Sequence, residues 1–375
     1  RTISDQHEIS APTPTSEPIP RQQFGSLQDM RIAVAGAGLI GRRHIEELVK
    51  SPHASLASII DPTPEAGALA AELGVPHYAT LERALADDRP DGVILATPNR
   101  LHVEGGLTCI AAGVPVIVEK PLAETAAGAK QLVEAAEAAH VPLLTGHHRN
   151  YSANMAAARE VISSGVLGRL VAIVGQATFY KPDDYFDVGD GWRRKAGGGP
   201  ILLNLTHEVN NLMALAGDIT AVQATTSSAT RGFEVEDTAA MIFHFAGGVL
   251  GTFMLSDTAA SPRSWEQTSG ENTSYATYPD EDSYHVMGTV GSLSIPTMRL
   301  KTYPGVQSWW SATDDSRIDV AVEDPLANQI AHFAAVIRGE AEPICDGRAG
   351  LKTIQVCDAV QEAARTGAVV NTGIS

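Results

Sequence analysis

Short apolar segments alternate with helical patterns between Met30 and about Gly146. The helical stretches include Thr125–His140, and further helices are predicted to begin at Thr63 and at Thr80. This alternation predicts a parallel sheet with crossover helices, whose ligand binds beyond the carboxyl ends of the strands. The predicted strands are Ile32–Ala35, Leu56–Ile60, Val93–Ala96, Val116–Glu119 and Pro142–Thr145.

The pattern changes after residue 150, where a helix predicted at Ala153–Ser164 is followed by longer alternating segments and two closing helices. A glycine pair at Gly247–Gly248 predicts a hairpin, and the polar stretch Ser261–Asp282 predicts a loop over the site or over a subunit interface. We therefore predict a Rossmann domain over residues 30–149 and an α+β domain with a mainly antiparallel open sheet over residues 150–375. Its predicted strands and helices are Leu170–Tyr180, Ile219–Ser227, Thr238–Phe245, Val249–Ser256, parts of Tyr284–Ile295, Leu300–Tyr303, Pro325–Arg338 and Gly350–Arg365.

Composition narrows the class of protein. The 375 residues are 44% hydrophobic and carry a formal charge of −17, which disfavours nucleic acids and anionic membranes as partners. No apolar run approaches the roughly 20 residues of a membrane span, and three cysteines without paired spacing indicate a reduced, cytoplasmic protein. The first 29 residues, rich in Pro, Ser and Thr, predict a disordered leader or an extended arm on a neighbouring subunit.

Three glycines follow the first predicted strand at the spacing Gly36-x-Gly38-x-x-Gly41. Gly36 permits a tight turn, Gly38 lets a pyrophosphate approach the backbone, and Gly41 lets the helix pack close to the strand. The amides of residues 36–41, Leu39 and Ile40 included, then face the phosphates. Asp61 follows the second strand, where its carboxylate can accept from ribose hydroxyls and repel a 2′-phosphate. The motif therefore predicts NAD as cofactor.

Lys120 follows the fourth strand within Glu119-Lys120-Pro121. A lysine at this edge can donate to a substrate oxygen and lower the pKa of a nearby base, although a surface role is the alternative. A second-domain helix carries Asn204, His207 and Asn211 on one face after a glycine run. The imidazole of His207 can take and return a proton as an alcohol becomes a carbonyl; a structural histidine is the alternative.

Basic residues crowd the same region of the sequence: Arg149 after the fifth strand, and Arg193 with its neighbours after Trp192. They indicate either a substrate anion or carboxylate partners within the fold. Trp192 is predicted to stack on nicotinamide or substrate, with a structural role as the alternative. The pair His147-His148 lacks companion ligands at metal-binding spacing, so no metal site is predicted, but one of the two histidines is a candidate to approach the substrate.

Together these motifs resemble the glucose–fructose oxidoreductase, inositol dehydrogenase and rhizopine-catabolism family, abbreviated Gfo/Idh/MocA, from Arg31 to the C-terminus. The resemblance implies that Lys120 orients the substrate and tunes the proton relay, that His207 is the general acid/base, and that hydride passes to or from nicotinamide. It also implies cofactor contacts from Thr97, Pro98, Asn99, His102 and Glu119.

One position departs from the family. Many of its sugar and inositol dehydrogenases have an aspartate four residues before the histidine, where this chain has Leu203; Asn204 or Asn211 are candidates to replace its polar contacts. The sequence thus predicts an NAD-dependent dehydrogenase acting on a secondary alcohol of a cyclic polyol, sugar or hydroxylated carboxylate. The alternatives are a lyase or glycosidase that recycles NAD, and a sugar-sensing regulator. An open sheet face predicts a homodimer or homotetramer.

Overall fold

The computed structural model describes residues 29–374, and the predicted N-terminal arm lies almost entirely outside them. The first sheet is parallel, with its six strands in the order β3-β2-β1-β4-β5-β6. Its strands are β1 (Met30–Ala35), β2 (Ala54–Ile60), β3 (His77–Tyr78), β4 (Gly92–Leu95), β5 (Val116–Glu119) and β6 (Leu143–Gly146). Its helices are α1 (Leu39–Lys50), α2 (Pro64–Leu73), α3 (Leu81–Asp87), α4 (His102–Ala111) and α5 (Ala126–Ala139).

Local signals set the helix ends of this domain. Thr80 and Thr125 cap α3 and α5, since each hydroxyl accepts a hydrogen bond from an amide of the first turn. His140 ends α5 in a left-handed conformation with φ of 53°. Strands β4, β5 and β6 are buried along their whole length, which explains their continuous apolar character.

The second sheet has ten strands and is mainly antiparallel, as predicted; the pair β7 and β10 is parallel. Gly247 and Gly248 lie in the turn between β9 and β10, which pair antiparallel. The strands are β7 (Leu170–Tyr180), β8 (Ile219–Ser227), β9 (Thr238–Phe245), β10 (Leu250–Ser256), β11 (Thr258–Arg263), β12 (Tyr284–Gly288), β13 (Gly291–Ile295), β14 (Arg299–Thr302), β15 (Asp314–Arg317) and β16 (Val370–Asn371). The helices of this half are α6 (Ala153–Ser163), α7 (Thr206–Ala216), α8 (Trp265–Ser269), α9 (Pro325–Ile337) and α10 (Gly347–Thr366).

Helices α6, α7 and α10 pack on one face of the second sheet. Val209 and Leu212 of α7 and Val360 of α10 share a core with Phe243 and Phe253 of the strands. Within residues 29–374, no helix packs on the other face of this sheet, and exposed apolar side chains lie on it. Helix α7 and its catalytic candidate therefore lie on the covered side.

Helix α9 packs against the first sheet although it comes late in the chain. Ile330 and Phe333 are fully buried in one core with Ile32 and Ile94 of the parallel sheet. The predicted boundary at residues 149 and 150 therefore does not divide the packing cleanly. The two halves are tied together by the C-terminal third of the chain. None of the helices within residues 29–374 is long and apolar enough to cross a membrane.

Candidate active site

The glycine turn between β1 and α1 has the shape of a phosphate cradle. Gly36 has a φ of +93°, and a Cβ there would lie 2.4 Å from the Ala96 carbonyl oxygen. A Cβ on Gly41 would lie 1.8 Å from the Gly36 oxygen, whereas one on Gly38 would meet no atom within 4 Å. The turn is thus tight at its first and third glycines and open at the second, as a bound pyrophosphate requires.

Asp61 lies beside this turn. One carboxylate oxygen accepts from the Ala37 amide at 2.8 Å, and the other accepts from the amide and the hydroxyl of Thr63. Partial burial opposes ionisation, but these hydrogen bonds outweigh it and lower the pKa of Asp61. Thr63 uses its hydroxyl for this contact rather than to cap α2. The ionised carboxylate is therefore fixed beside the glycine turn.

His102, predicted to contact the cofactor, is buried between two loops of the first domain. Its ring is fully buried, with Nδ1 2.8 Å from the Pro121 oxygen and Nε2 2.9 Å from the Thr97 oxygen. It joins the loops after β4 and β5 and has no surface with which to contact a dinucleotide. We therefore correct the predicted cofactor contact to a structural role, while Pro98 and Asn99 remain exposed at the same edge.

Glu119 is held by a residue that sequence reasoning missed. Its carboxylate lies 2.7 Å from Nε2 of His44 on α1, and its other oxygen accepts from the Lys120 amide. Gly146 leaves room for it, because a Cβ there would lie 2.7 Å from the carboxyl carbon. Burial opposes ionisation, but the contacts with His44, His148 and the Lys120 amide together outweigh it and lower the pKa of Glu119. The side chain is only 7% exposed, so little of it remains for a cofactor contact.

Lys120 and His207 come together from opposite halves of the chain. The Lys120 amine donates to the Leu203 carbonyl oxygen at 3.3 Å, and Leu203 lies one turn before His207. Residues Ile201–Leu205 form a π-helical turn that leads into α7. Such turns recur at functional sites. Burial lowers the pKa of Lys120, and Arg149 adds to the effect.

Three imidazoles meet at the same point. The His207 ring lies 5.6 Å from that of His147 and 5.1 Å from that of His148, edge-on in both cases. Burial, followed by the charges of Lys120 and Arg149, lowers the pKa of His207 well below its usual value. Burial likewise lowers the pKa of His147 to about 3 and that of His148 to about 4. All three rings are therefore neutral at pH 7.

Arg149 is paired with carboxylates of the protein itself. Its guanidinium donates to Glu208 of α7 and to Glu266 of α8, each at 2.6 Å, and the residue is 4% exposed. Glu208 also accepts from the Tyr284 hydroxyl. Of the two predicted explanations for this cation, carboxylate partners within the fold is the one observed. The predicted substrate contact is corrected, since both terminal nitrogens are occupied.

The two asparagines near His207 differ in their surroundings. Asn211 is 1% exposed and donates to the Tyr284 hydroxyl at 3.1 Å, so its predicted substrate contact is wrong. Asn204 is half-buried in the turn before α7, and its oxygen accepts from the Lys181 amine at 2.7 Å. Lys181 was missed, although it directly follows the predicted strand Leu170–Tyr180.

Trp192 and Arg193 lie close to Tyr185, whose ring Lys181 also contacts. Trp192 is 42% exposed, and the Arg193 guanidinium lies 5.2 Å from its ring and 4.2 Å from the ring of Tyr185. One Arg193 nitrogen also donates to the Tyr185 oxygen. Both residues are accessible to a ligand, and their predicted substrate contacts stay predictions.

An open cleft of about 700 Å³ extends from the end of the glycine turn to His148 and Glu266. It is lined on one side by Leu39 and Ile40 at the start of α1, and on the other by His148, Glu266 and residues 269–275. Part of the stretch predicted as a loop, Ser261–Asp282, therefore lines this cleft, and it contains all of α8 and the end of β11.

Two sequence models of one oxidoreductase family match the chain. The first, described as the NAD-binding Rossmann fold of the GFO_IDH_MocA oxidoreductases, matches residues 30–147, and the C-terminal domain model matches residues 155–294. The 1,5-anhydro-D-fructose reductase of Ensifer adhaerens is 30% identical over 353 residues, which are 92% of this chain and 99% of that protein. The chain belongs to the GFO/IDH/MocA family. It is an NAD-binding oxidoreductase of the sugar and polyol dehydrogenase type.

Other GFO/IDH/MocA proteins resemble parts or all of the chain. An inositol 2-dehydrogenase of Leifsonia xyli is 33% identical over 150 residues, which are 39% of this chain and 44% of that protein. The WlbA dehydrogenase of Bordetella pertussis, solved with NADH and UDP-GlcNAcA, superposes with a TM-score of 0.72 at 24% identity. That comparison covers 93% of this chain and all of the other and supports the fold.

Proposed function

We propose that this GFO/IDH/MocA enzyme uses NAD to oxidise a secondary alcohol of a cyclic polyol, a sugar or a hydroxylated carboxylate. The observation that carries the proposal is the meeting of Lys120 and His207 at the carboxyl edge of the parallel sheet, through the contact with Leu203. An amine and an imidazole at one point can hold and deprotonate a carbinol.

The residues of the glycine turn fit a dinucleotide. The amides of residues 36–41 would hold its pyrophosphate and Asp61 its ribose hydroxyls. When bound, NAD supplies a nicotinamide C4 that accepts a hydride. The chain supplies orientation: the cleft runs from the turn to His148, whose ring lies 5.1 Å from that of His207.

His207 acts as the base. Its Nδ1 is buried without a hydrogen-bond partner in the described residues, which leaves Nε2 as the nitrogen that reaches the cleft. The lowered pKa keeps the ring neutral at pH 7, so Nε2 can take the hydroxyl proton. Lys120 donates to the same oxygen and stabilises the negative charge that develops on it.

Purified protein with NAD, assayed against sugars, cyclitols and hydroxy acids by NADH absorbance, tests the proposal. We expect turnover, and we expect His207→Asn and Lys120→Met each to lower kcat by about 10²- to 10⁴-fold. His53→Asn, on an exposed histidine of the first domain, is the matched control and should leave kcat unchanged.

Other outcomes would contradict the assignment. Consumption of a substrate without net NADH would indicate a lyase or glycosidase that recycles NAD. Sugar binding without any turnover, with Lys120→Met shifting only the affinity, would indicate a regulator.

A further inference from the structure

Lys181 is a buried cation beside the proposed site that the mechanism above does not use. It is 8% exposed and lies directly after β7. Its amine donates to the Asn204 oxygen at 2.7 Å, lies 3.6 Å from an Asp257 oxygen, and sits 4.7 Å from the centre of the Tyr185 ring. Because Asn204 is only three residues before His207, this amine borders the space where a substrate would lie.

Lys181 shares its nearby carboxylate with a second cation. The nearby acid, Asp257, is already paired through its other oxygen with Arg231 Nε at 3.1 Å. Arg231 also donates to the backbone oxygens of Lys181 and Asp257, which fixes it as a structural cation. Arg193 lies near the same Tyr185 ring, Asp183 pairs with Arg231, and Glu236 is close enough to interact with Lys181. Charges of both signs therefore surround the Lys181 amine, and Asp257 is the one carboxylate among the described residues within 4 Å of it. Burial lowers the pKa of Lys181 to about 8, so most of the amine is charged at pH 7.

Lys181 and Asn204 also present hydrogen-bond donors rather than acceptors. The Asn204 oxygen is occupied by Lys181, and its amide nitrogen has no acceptor within the part of the chain that the structure describes. Leu203, one residue earlier, replaces the acidic residue expected from the family resemblance and can accept nothing with its side chain. An ammonium and an amide N–H₂ suit a negatively charged oxygen acceptor better than a hydroxyl that must donate.

We propose that Lys181 and Asn204 bind the carboxylate of a sugar acid or hydroxy acid whose carbinol lies between Lys120 and His207. The inference rests on the proposed function and narrows its substrate to the carboxylated class. Lys181 is then the residue that determines specificity, and Asn204 completes the pocket.

Matched pairs of ligands test this directly. The wild-type protein with bound NADH is titrated with D-glucuronate, D-galacturonate and D-gluconate, and with D-glucose, D-galactose and D-glucitol. Turnover with NAD is measured for the same six compounds. We expect at least one acid to bind, or to react by kcat/KM, at least tenfold better than its neutral counterpart.

Two substitutions then locate the preference. Lys181→Met removes the charge at similar length, and Asp257 keeps its Arg231 partner, so the fold should persist. We expect the acid-to-neutral ratio to fall about 10- to 100-fold, as for the loss of a charged hydrogen bond. Asn204→Asp should lower the same ratio by neutralising Lys181, and Lys181→Arg should retain most of it. Lys130→Met, on the exposed surface of α5, is the control for the chemical change.

Several results would overturn the inference. These are equal or weaker binding of every acid, binding of none of the six compounds, or an acid preference that survives Lys181→Met. If neutral sugars turn over without an acid preference, the proposed function stands and only this inference fails. If the wild-type protein does not bind NADH, the proposed function fails and the inference falls with it.

Discussion

His207 is a base surrounded by positive charge. Lys120 and Arg149 both disfavour its protonated form, and burial disfavours that form most of all. The neighbouring rings of His147 and His148 stay neutral and add no compensating negative charge. The result is an imidazole that is ready to accept a proton at any pH near neutrality.

This environment predicts the pH dependence of alcohol oxidation. A base works when neutral, so kcat/KM should be flat across neutral pH and should fall as the pH drops through the lowered pKa of His207, below its usual 6.5. In Lys120→Met the acid limb of the residual activity should shift to a higher pH, because removing a nearby cation raises the pKa of His207. A pH–rate profile of both proteins measures the shift.

Lys120→Arg is the control for that measurement. It retains the charge, so its acid limb should coincide with that of the wild type even if its rate is lower. An acid limb at the same pH in Lys120→Met and the wild type would show that Lys120 does not act on His207.

The residues of the site differ in how well the sequence predicts them. Gly36, Gly38 and Gly41 are recognisable because their function depends on local spacing, and the geometry of the turn fits that role. The predicted substrate contacts of Arg149 and Asn211 were wrong because the fold supplies their partners. Glu208 and Tyr284 are distant in the sequence and reach these side chains only in the folded chain. A cation or an amide in a sequence does not reveal whether its partner is a ligand or the protein itself.

At the scale of elements, Arg149 connects three pieces of structure. It follows β6, and its carboxylate partners lie on α7 and α8, so one guanidinium joins the two halves of the chain to the segment over the cleft. Glu208 is only 2% exposed, and its second oxygen accepts from Tyr284. This network holds the turn that carries His147 and His148 against the helix that carries His207.

Removal of the guanidinium should be costly. In Arg149→Met the buried carboxylate of Glu208 loses its cation, and we expect the free energy of unfolding to fall by ~3–5 kcal/mol, as when one partner of a buried ion pair is removed. Urea denaturation followed by circular dichroism measures the change. The double variant Arg149→Met/Glu208→Gln should recover part of the loss, because it removes the unpaired charge. A loss below ~1 kcal/mol, typical of an exposed pair, would contradict the buried network.

Elements with a strong pattern were predicted closely, and weak ones were missed. Strand β7 has the predicted bounds, and α6 and α9 each end one residue before the predicted end. Strands β3 and β16 were missed because two residues are too few for an alternating hydrophobic pattern to be recognised in the sequence. Strand β15 consists of four exposed polar residues, so its place in the sheet depends on pairing with β14 alone.

At the scale of the whole molecule, the uncovered face of the second sheet is the main surface without a role. Exposed apolar residues from three adjacent strands lie on it: Val174 of β7, Ile242 of β9, and Leu250 and Met254 of β10, each at least 40% exposed. Thr252, between the last two, pairs with both Val174 and Ile242, which places these side chains on one face. A shallow concavity of about 750 Å³ runs across it. An apolar face of this kind favours burial by a partner.

We propose that this face joins two copies of the chain, as expected for an open sheet. Ile242→Glu/Met254→Glu places four like charges across such an interface, and we expect it to convert a dimer or tetramer into a smaller species by light scattering. NADH affinity should not change, because α7 and the cleft lie on the other side of the sheet. Val49→Glu/Val306→Glu adds the same charge at exposed residues away from this face and should leave the molar mass intact. A wild-type monomer, or a double variant that keeps the wild-type mass, would show that the face serves no such contact, and its exposed apolar side chains would then need another partner.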